Sequence, residues 1–296
     1  MAYAVECINV TKKFRKTLAL DKVNLTIEEN KIYGLLGRNG AGKTTLLNLL
    51  SAQSLQSGGT IAILGEQPYE NSKVLSQMCF VKEAENYLAM LKIHEILDIS
   101  SKFYDKWDNN FALKLLKEFN LTSNKKYSAL SKGMQSILGI VIGLSSRAPV
   151  TLYDEPYLGL DAASRYTFYD ILLKDYTENP RTIIFSTHLI DEVSKIFEHI
   201  IILDKGKVLL TEEVDNLKSK TVYLSGSKDI LNDILKGKNV INYEQAGLSA
   251  SAVIYDNLAF EEARKLKLEG IEFKTVPLQD FFVYMTSMSN RGEFYE

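Results

Sequence analysis

The sequence predicts an α/β fold, a β-sheet covered by helices over residues 1–211, followed by a small α+β domain over residues 212–296. Three observations carry this. Short β-branched runs alternate with helical patterns as far as about Thr211, which is how a sheet layered with helices reads. Between Glu83 and Ser131 the apolar spacing changes to three and four, so a helical lobe, about 84–145, is inserted there. After Val208 to Leu210 a charged, helix-prone linker, EEVDNLKSK, separates a second and shorter set of elements.

In chain order, the expected strands of the first domain are YAVECINV, VNLTI, KIYGLLG, TIAILG, MCFV, PVTLYDE, RTIIFST and HIIILDKGKVL, each rich in β-branched or aromatic residues. TTLLNLLS, HEILDISSKFY and NNFALKLLKEFN carry the helical pattern. In the second domain TVYLSG, NVINYEQAG, SASAVIYD and IEFKTVPL read as strands, and KDILNDILKG, AFEEARKLKLEG and QDFFVYMTSM as helices. There is no fixed-period repeat and no low-complexity tract.

Composition narrows the function classes. With 46% hydrophobic residues in 296, the chain can bury one large core and one small one. A formal net charge of −2 gives no global electrostatic reason to bind nucleic acid or an anionic membrane face, so no nucleic-acid partner is expected. The two cysteines, Cys7 and Cys79, stand far apart without metal-ligand spacing, which fits reduced thiols and a cytosolic setting. MAYAVECINV lacks the basic start and apolar core of a secretory signal and reads as a first strand. The most apolar run, Ile137 to Ser145, is much shorter than the roughly 18 residues a membrane span needs.

Residues 37–44, GRNGAGKT, match GxxxxGK[ST] between a strand pattern and a helix pattern. Glycines let backbone N–H groups approach phosphate oxygens, and the helix N-terminus adds the positive end of its dipole. Gly37, Arg38, Asn39, Gly40, Ala41, Gly42, Lys43, Thr44 and Thr45 are therefore candidate ATP ligands. Lys43 suits the β and γ phosphates, and the Thr44 hydroxyl suits Mg²⁺. Further on, PVTLYDE ends a buried strand in two carboxylates, and buried carboxylates without partners are costly. Asp154 suits Mg²⁺ through its water shell, and Glu155 suits the deprotonation of an attacking water. His188 stands at a second strand-to-helix junction, after RTIIFST, and joins the catalytic candidates.

A further motif, LSKGM at Leu130 to Met134, is similar to LSGGQ, and with the preceding three it resembles the ABC ATPase family over about residues 1–211. The order matches as well: phosphate loop at 37, LSKGM at 130, carboxylates at 154, LGLD at 158–161, histidine at 188. The resemblance implies a P-loop NTPase fold and an ATPase that pairs head to tail with a second ATPase subunit, identical or not. It also implies a separate transmembrane permease that holds the chain at the cytoplasmic face of the membrane. Ser131 and Gly133 would then contact the γ-phosphate across the dimer, Asp161 would sit at its seam, and His188 would sense the γ-phosphate in its own subunit. Phe14 matches the aromatic that stacks on adenine, and Glu83, after Lys82, stands in for the family's metal-contacting glutamine and joins Thr44 and Asp154 as a candidate Mg²⁺ contact. Lys132, Met134 and Ile137 depart from the family's glycine, glutamine and arginine. The runs LSKGMQSILGIVIGLSSRAPVTLYDEPYLGLDAASR and PRTIIFSTHLIDE resemble the ATPases of small bacterial exporters of the phenol-soluble modulin and Ytr-type class, which implies export of peptides or other amphipathic compounds.

Overall fold

Two strand patterns, alternating and fully buried, build two different sheets in the computed structural model, which describes residues 2–82, 87, 89–258 and 260–291. Backbone contacts divide the chain into two units, residues 1–188 with 195–211 and residues 189–194 with 212–296. The elements of the first unit are β1 (Tyr3–Phe14), β2 (Thr17–Glu28), β3 (Ile32–Leu36), α1 (Lys43–Leu50), β4 (Gly58–Ile63), α2 (Ser72–Leu75), β5 (Met78–Val81) and α3 (Ile93–Ser101). They continue with α4 (Asn109–Glu118), α5 (Lys132–Ser145), β6 (Val150–Asp154), α6 (Ala162–Glu178), β7 (Thr182–Thr187), β8 (His199–Asp204) and β9 (Lys207–Glu213), whose last two residues belong to the second unit.

Strands β1, β2 and β4 alternate buried with exposed residues and pair antiparallel in the order β2-β1-β4. By contrast β3, β6 and β7 are buried at every position, as strands covered on both faces must be. They occupy the middle of a six-stranded sheet, β5-β6-β7-β3-β8-β9, whose first five strands run parallel. Helix α1 contributes Leu46, Leu47, Leu49 and Leu50 to a core shared with Val5, Ile27 and Ile63 of one sheet and Leu35, Leu152 and Ile201 of the other. Each such side chain contributes about 1.5–3 kcal/mol when fully buried. That packing holds the N-terminus of α1 at the end of β3.

HIIILDKGKVL forms two strands rather than one, because Lys205 and Gly206 both adopt positive φ (45° and 79°) and turn the chain into a hairpin. The expected linker EEVDNLKSK is ordered as the end of β9 and a helix, with Val214 and Leu217 buried. Helix α6 has no counterpart in the sequence reading, since Tyr169 and Asp175 share its buried side with Phe168 and Leu172 and blur the apolar period. The run Ile137 to Ser145 is the buried part of α5, which packs against β5, α4 and α3. The inserted helical segment is thus fastened to the central sheet by its last helix.

An ionic network braces the same region. Asp108 caps α4 by accepting from Phe111 N at 2.9 Å and pairs with Arg147 at 3.2 Å. The Phe111 bond, joined by Arg147, holds the Asp108 carboxyl below its ordinary range despite its partial burial. Arg147 also pairs with Asp175 of α6, which pairs with Arg181 at 2.9 Å. Asp175 and Arg181 are both buried, so each needs the other.

In the second unit, α7 (Ile190–Val193) and α8 (Val214–Lys220) accompany β10 (Thr221–Ser227), α9 (Lys228–Ile234), β11 (Val240–Ala246), β12 (Ser249–Tyr255), α10 (Phe260–Leu268), β13 (Glu272–Thr275) and α11 (Leu278–Arg291). The run β10 to β13 is a β-α-β-β-α-β motif with antiparallel sheet order β11-β12-β10-β13. Leu224, Ala252 and Ile254 face Leu231, Leu266 and Ile271 in a core of their own. Tyr255 alternates to the other face and meets Phe281 of α11, ring centroids 5.3 Å apart.

Asp175→Ala leaves Arg181 buried without a counter-charge, and we expect a loss of about 3–5 kcal/mol. Trp107 is the sole tryptophan and lies in the first unit, so the urea midpoint of its fluorescence measures this directly. An unchanged midpoint would show that the network does not brace the unit.

Candidate active site

Parallel register brings the candidate residues together. Asp154 pairs with Ser186 and Leu36 pairs with Thr187, so β6, β7 and β3 end at one level. The residues that follow, Glu155, His188 and Gly37, therefore share one edge of the sheet.

The phosphate loop leaves β3 at Gly37, and Gly42 caps α1 in the left-handed region (φ 110°). A side chain at Gly42 would be strained in that conformation and would meet the Ala19 carbonyl at 2.8 Å. Gly42 has no side chain to cap the first turn of α1, which carries the positive end of the helix dipole. Arg38, Asn39, Gly40 and Thr44 are exposed, Thr45 is half-buried, and Gly37 and Ala41 are buried. Lys43 is buried, with Nζ donating to the Gly37 carbonyl at 2.7 Å and lying 3.6 Å from Glu155 Oε1.

Asp154 is buried and accepts from Ser186 Oγ at 2.5 Å. Glu155 adopts positive φ (49°), a conformation costing about 1–2 kcal/mol for a side chain of this kind. Its N–H is held by Ser186, at 3.1 Å to Oγ and 3.3 Å to the carbonyl oxygen. Its second carboxylate oxygen accepts from His188 Nδ1 at 2.7 Å. Lys43, Glu155 and His188 thus form a continuous chain of charged and polar groups beside Asp154. The arrangement offers one cation for phosphate, one carboxylate that can take a proton, and one that can serve a hard cation.

A second group forms around LSKGM. Ser131 caps α5 by accepting from Met134 N at 3.3 Å, and Ser136 Oγ donates to the Leu158 carbonyl at 2.7 Å. Gly133 lies so near the LGLD loop that a Cβ there would meet the Gly159 carbonyl at 2.4 Å. Asp161 caps α6 by accepting from Ser164 N at 2.7 Å, and that bond holds its carboxyl below the ordinary range. Loop 155–161 therefore joins the two groups. Phe14 is half-exposed at the β1–β2 turn, with Lys12 Nζ 4.8 Å from its ring centroid. Lys82 contacts Gln53 and the Phe80 ring, whereas Glu83 lies outside the described residues. Ser186 and Tyr157 escaped the sequence reading; their only signal was adjacency to the histidine and to the two acids.

A family model described as ABC transporter matches residues 20–158. BcrA, the bacitracin transport ATP-binding protein of Enterococcus faecalis, is 33% identical over 218 residues, 73% of this chain and 70% of that protein. The chain belongs to the ABC transporter ATP-binding proteins. The ABC transporter ATP-binding protein YtrB of Bacillus subtilis is 27% identical over 251 residues, 84% of this chain and 86% of YtrB. Among solved structures, the ABC cassette MJ0796, a dimer in a post-hydrolysis state bound to ADP and Pi, matches with a TM-score of 0.62 at 26% identity, covering 71% of this chain and 98% of that one. This ABC chain is an ATP-binding subunit and an ATPase with the P-loop α/β fold of its family. Among the described residues no helix is long and apolar enough to cross a membrane.

Alanine in place of glycine at an exposed helical position normally adds about 1 kcal/mol of stability. At Gly133 we expect the opposite, a net loss of about 1–3 kcal/mol, because the new methyl group must displace the Gly159 backbone. Thermal denaturation of Gly133→Ala decides between the two signs.

Proposed function

We propose that this ATPase drives a separate membrane permease, and that the pair exports peptides or other amphipathic compounds. The observation that carries the catalytic part is the Lys43–Glu155–His188 chain beside Asp154 at one edge of the sheet. Bound ATP would draw Lys43 from Glu155 to the β and γ phosphates, where the first-turn amides of α1 add their N–H groups. Freed of Lys43, Glu155 would orient the attacking water and take its proton, while His188 would answer to the γ-phosphate. Phe14 would stack on the adenine.

Mg²⁺ fits the residues present. Asp154 is a buried carboxylate with one oxygen taken by Ser186 Oγ, and Thr44 has an exposed hydroxyl on the first turn of α1. Among the described residues no group of three or more acidic, histidine or cysteine side chains could hold a metal alone, which suits an ion that keeps waters and phosphate oxygens. When bound it would neutralise charge on the phosphates.

Head-to-tail pairing would place Ser131 and Gly133 of one subunit against the nucleotide of the other, with Asp161 at the seam. The dimeric MJ0796 cassette, 26% identical, supports this pairing. The names of BcrA and YtrB support membrane transport, and bacitracin transport by BcrA supports an amphipathic peptide as cargo. For the permease we propose an apolar groove bordered by Phe80, Leu91, Ile99, Phe103 and Tyr104 as the docking place of a helix. Phe103 is 64% exposed there, so its ring is open to a partner.

Glu155→Gln should bind ATP but turn it over at least about 100-fold more slowly, since an amide cannot accept the proton. Phosphate release and gel filtration test both halves. The ATP-bound variant should elute at twice the mass of the chain, and a monomer at high protein and ATP concentration would defeat the pairing. Phe103→Glu should abolish copurification with the membrane subunit and leave ATP hydrolysis by the isolated chain unchanged within about twofold.

A further inference from the structure

Between the two acids that end and follow β6 and the LGLD loop stands Tyr157, a buried aromatic. Its ring stacks on Phe185 of β7, centroids 6.0 Å apart and planes 16° from parallel. Its hydroxyl reaches β7 as well. The oxygen accepts from the backbone N–H of His188 at 3.1 Å, lies 2.8 Å from Thr187 Oγ1, and lies 3.4 Å from His188 Nδ1. The His188 imidazole, 42% exposed, otherwise has Glu155 as its partner, on that same nitrogen at 2.7 Å. Since a carboxylate only accepts, Nδ1 carries the proton.

With the Tyr157 hydroxyl donating to Thr187 Oγ1, one of the two directions open to that contact, its oxygen can accept from the backbone N–H and from Nδ1. Its distance from Nδ1 is slightly longer than a good hydrogen bond, which a small rotation of the imidazole would shorten. We propose that Tyr157 is a positioning residue for His188: it anchors the histidine's backbone and gives Nδ1 a second acceptor when the imidazole leaves Glu155. The histidine then has two held orientations, one on the carboxylate and one on the phenol. Moving to the phenol frees Glu155 to accept a proton while Nδ1–H keeps an acceptor. The inference rests on the catalytic reading of Glu155 and His188 given above.

Tyr157→Phe removes the hydroxyl and keeps the stacked ring, so it tests position rather than packing. In the full-length chain we expect kcat to fall about tenfold with KM for ATP within about twofold, as for a misplaced catalytic group. In a His188→Ala background the same change should alter kcat by less than about twofold, because the group being positioned is gone. A wild-type kcat for Tyr157→Phe, or an undiminished tenfold loss on top of His188→Ala, overturns the proposal. Should His188→Ala leave no measurable turnover, the imidazole ¹⁵N resonances of His188 decide: displaced in Tyr157→Phe they support it, unmoved they overturn it. A wild-type rate for His188→Ala alone would overturn the catalytic reading, and the inference with it. An impaired His188→Ala beside an unimpaired Tyr157→Phe would remove only the role of Tyr157.

Discussion

The parallel register of β3, β6 and β7 is the constraint on which the rest of the first unit depends. Because Asp154 stands opposite Ser186 and Leu36 opposite Thr187, three strand ends coincide to within one residue. A slip of one position would turn every side chain of a strand to the opposite face. Close packing opposes that slip, since all five residues of β3 and of β6, and all six of β7, are buried and each is fitted to its own neighbours. The core thereby sets the distances among Lys43, Glu155 and His188. Chemistry at the edge of the sheet is precise because the packing behind it is rigid.

Electrostatics then makes the edge poised rather than inert. Lys43 and Glu155 are largely buried, and two such charges tolerate burial only as partners. Their mutual attraction holds the lysine away from solvent and holds the carboxylate at a backbone conformation that costs energy. A phosphate chain is a stronger partner for the lysine than a single carboxylate, because it presents several charged oxygens to one ammonium. The ionic network of Asp108, Arg147, Asp175 and Arg181 braces the same unit, tying α4 to α6 and β7.

The second unit has its own logic. Its β-α-β-β-α-β order encloses a separate core, and its polar anchor is Glu212, which takes Lys220 at 3.0 Å and the Tyr255 hydroxyl at 2.9 Å. Burial pushes the Glu212 carboxyl up, but hydrogen bonds from Lys220 and Tyr255 and the lysine's charge bring it below its ordinary value. Tyr255 moves the other way, raised by its own burial and by donating to that carboxylate. The residues in this anchor come from β9, α8 and β12, so it ties the start of the unit to its sheet.

Much of this was legible in the sequence. GRNGAGKT, the paired acids after VTLY and the histidine after TIIFST are short-range patterns, in which neighbours along the chain remain neighbours in space. The strands were legible for the same reason, since β-branched runs express a local preference. What stayed hidden depends on residues far apart. Ser186 serves Asp154 and Glu155 across 32 and 31 positions, and Tyr157 reaches His188 across 31, so neither role leaves a local trace. Helix α6 escaped because its buried side carries a tyrosine and an aspartate whose partners, including Arg147 and Arg181, lie elsewhere in the chain. Gly133 reads as a phosphate contact in its motif, and only packing shows that the Gly159 carbonyl leaves no room for a methyl group. By itself, then, the sequence determined which groups are candidates for the chemistry of this ATPase, because motif chemistry is written in consecutive residues. Tertiary structure decided how those groups are held and which residues they meet, because strand register and side-chain burial are settled only when distant segments pack together.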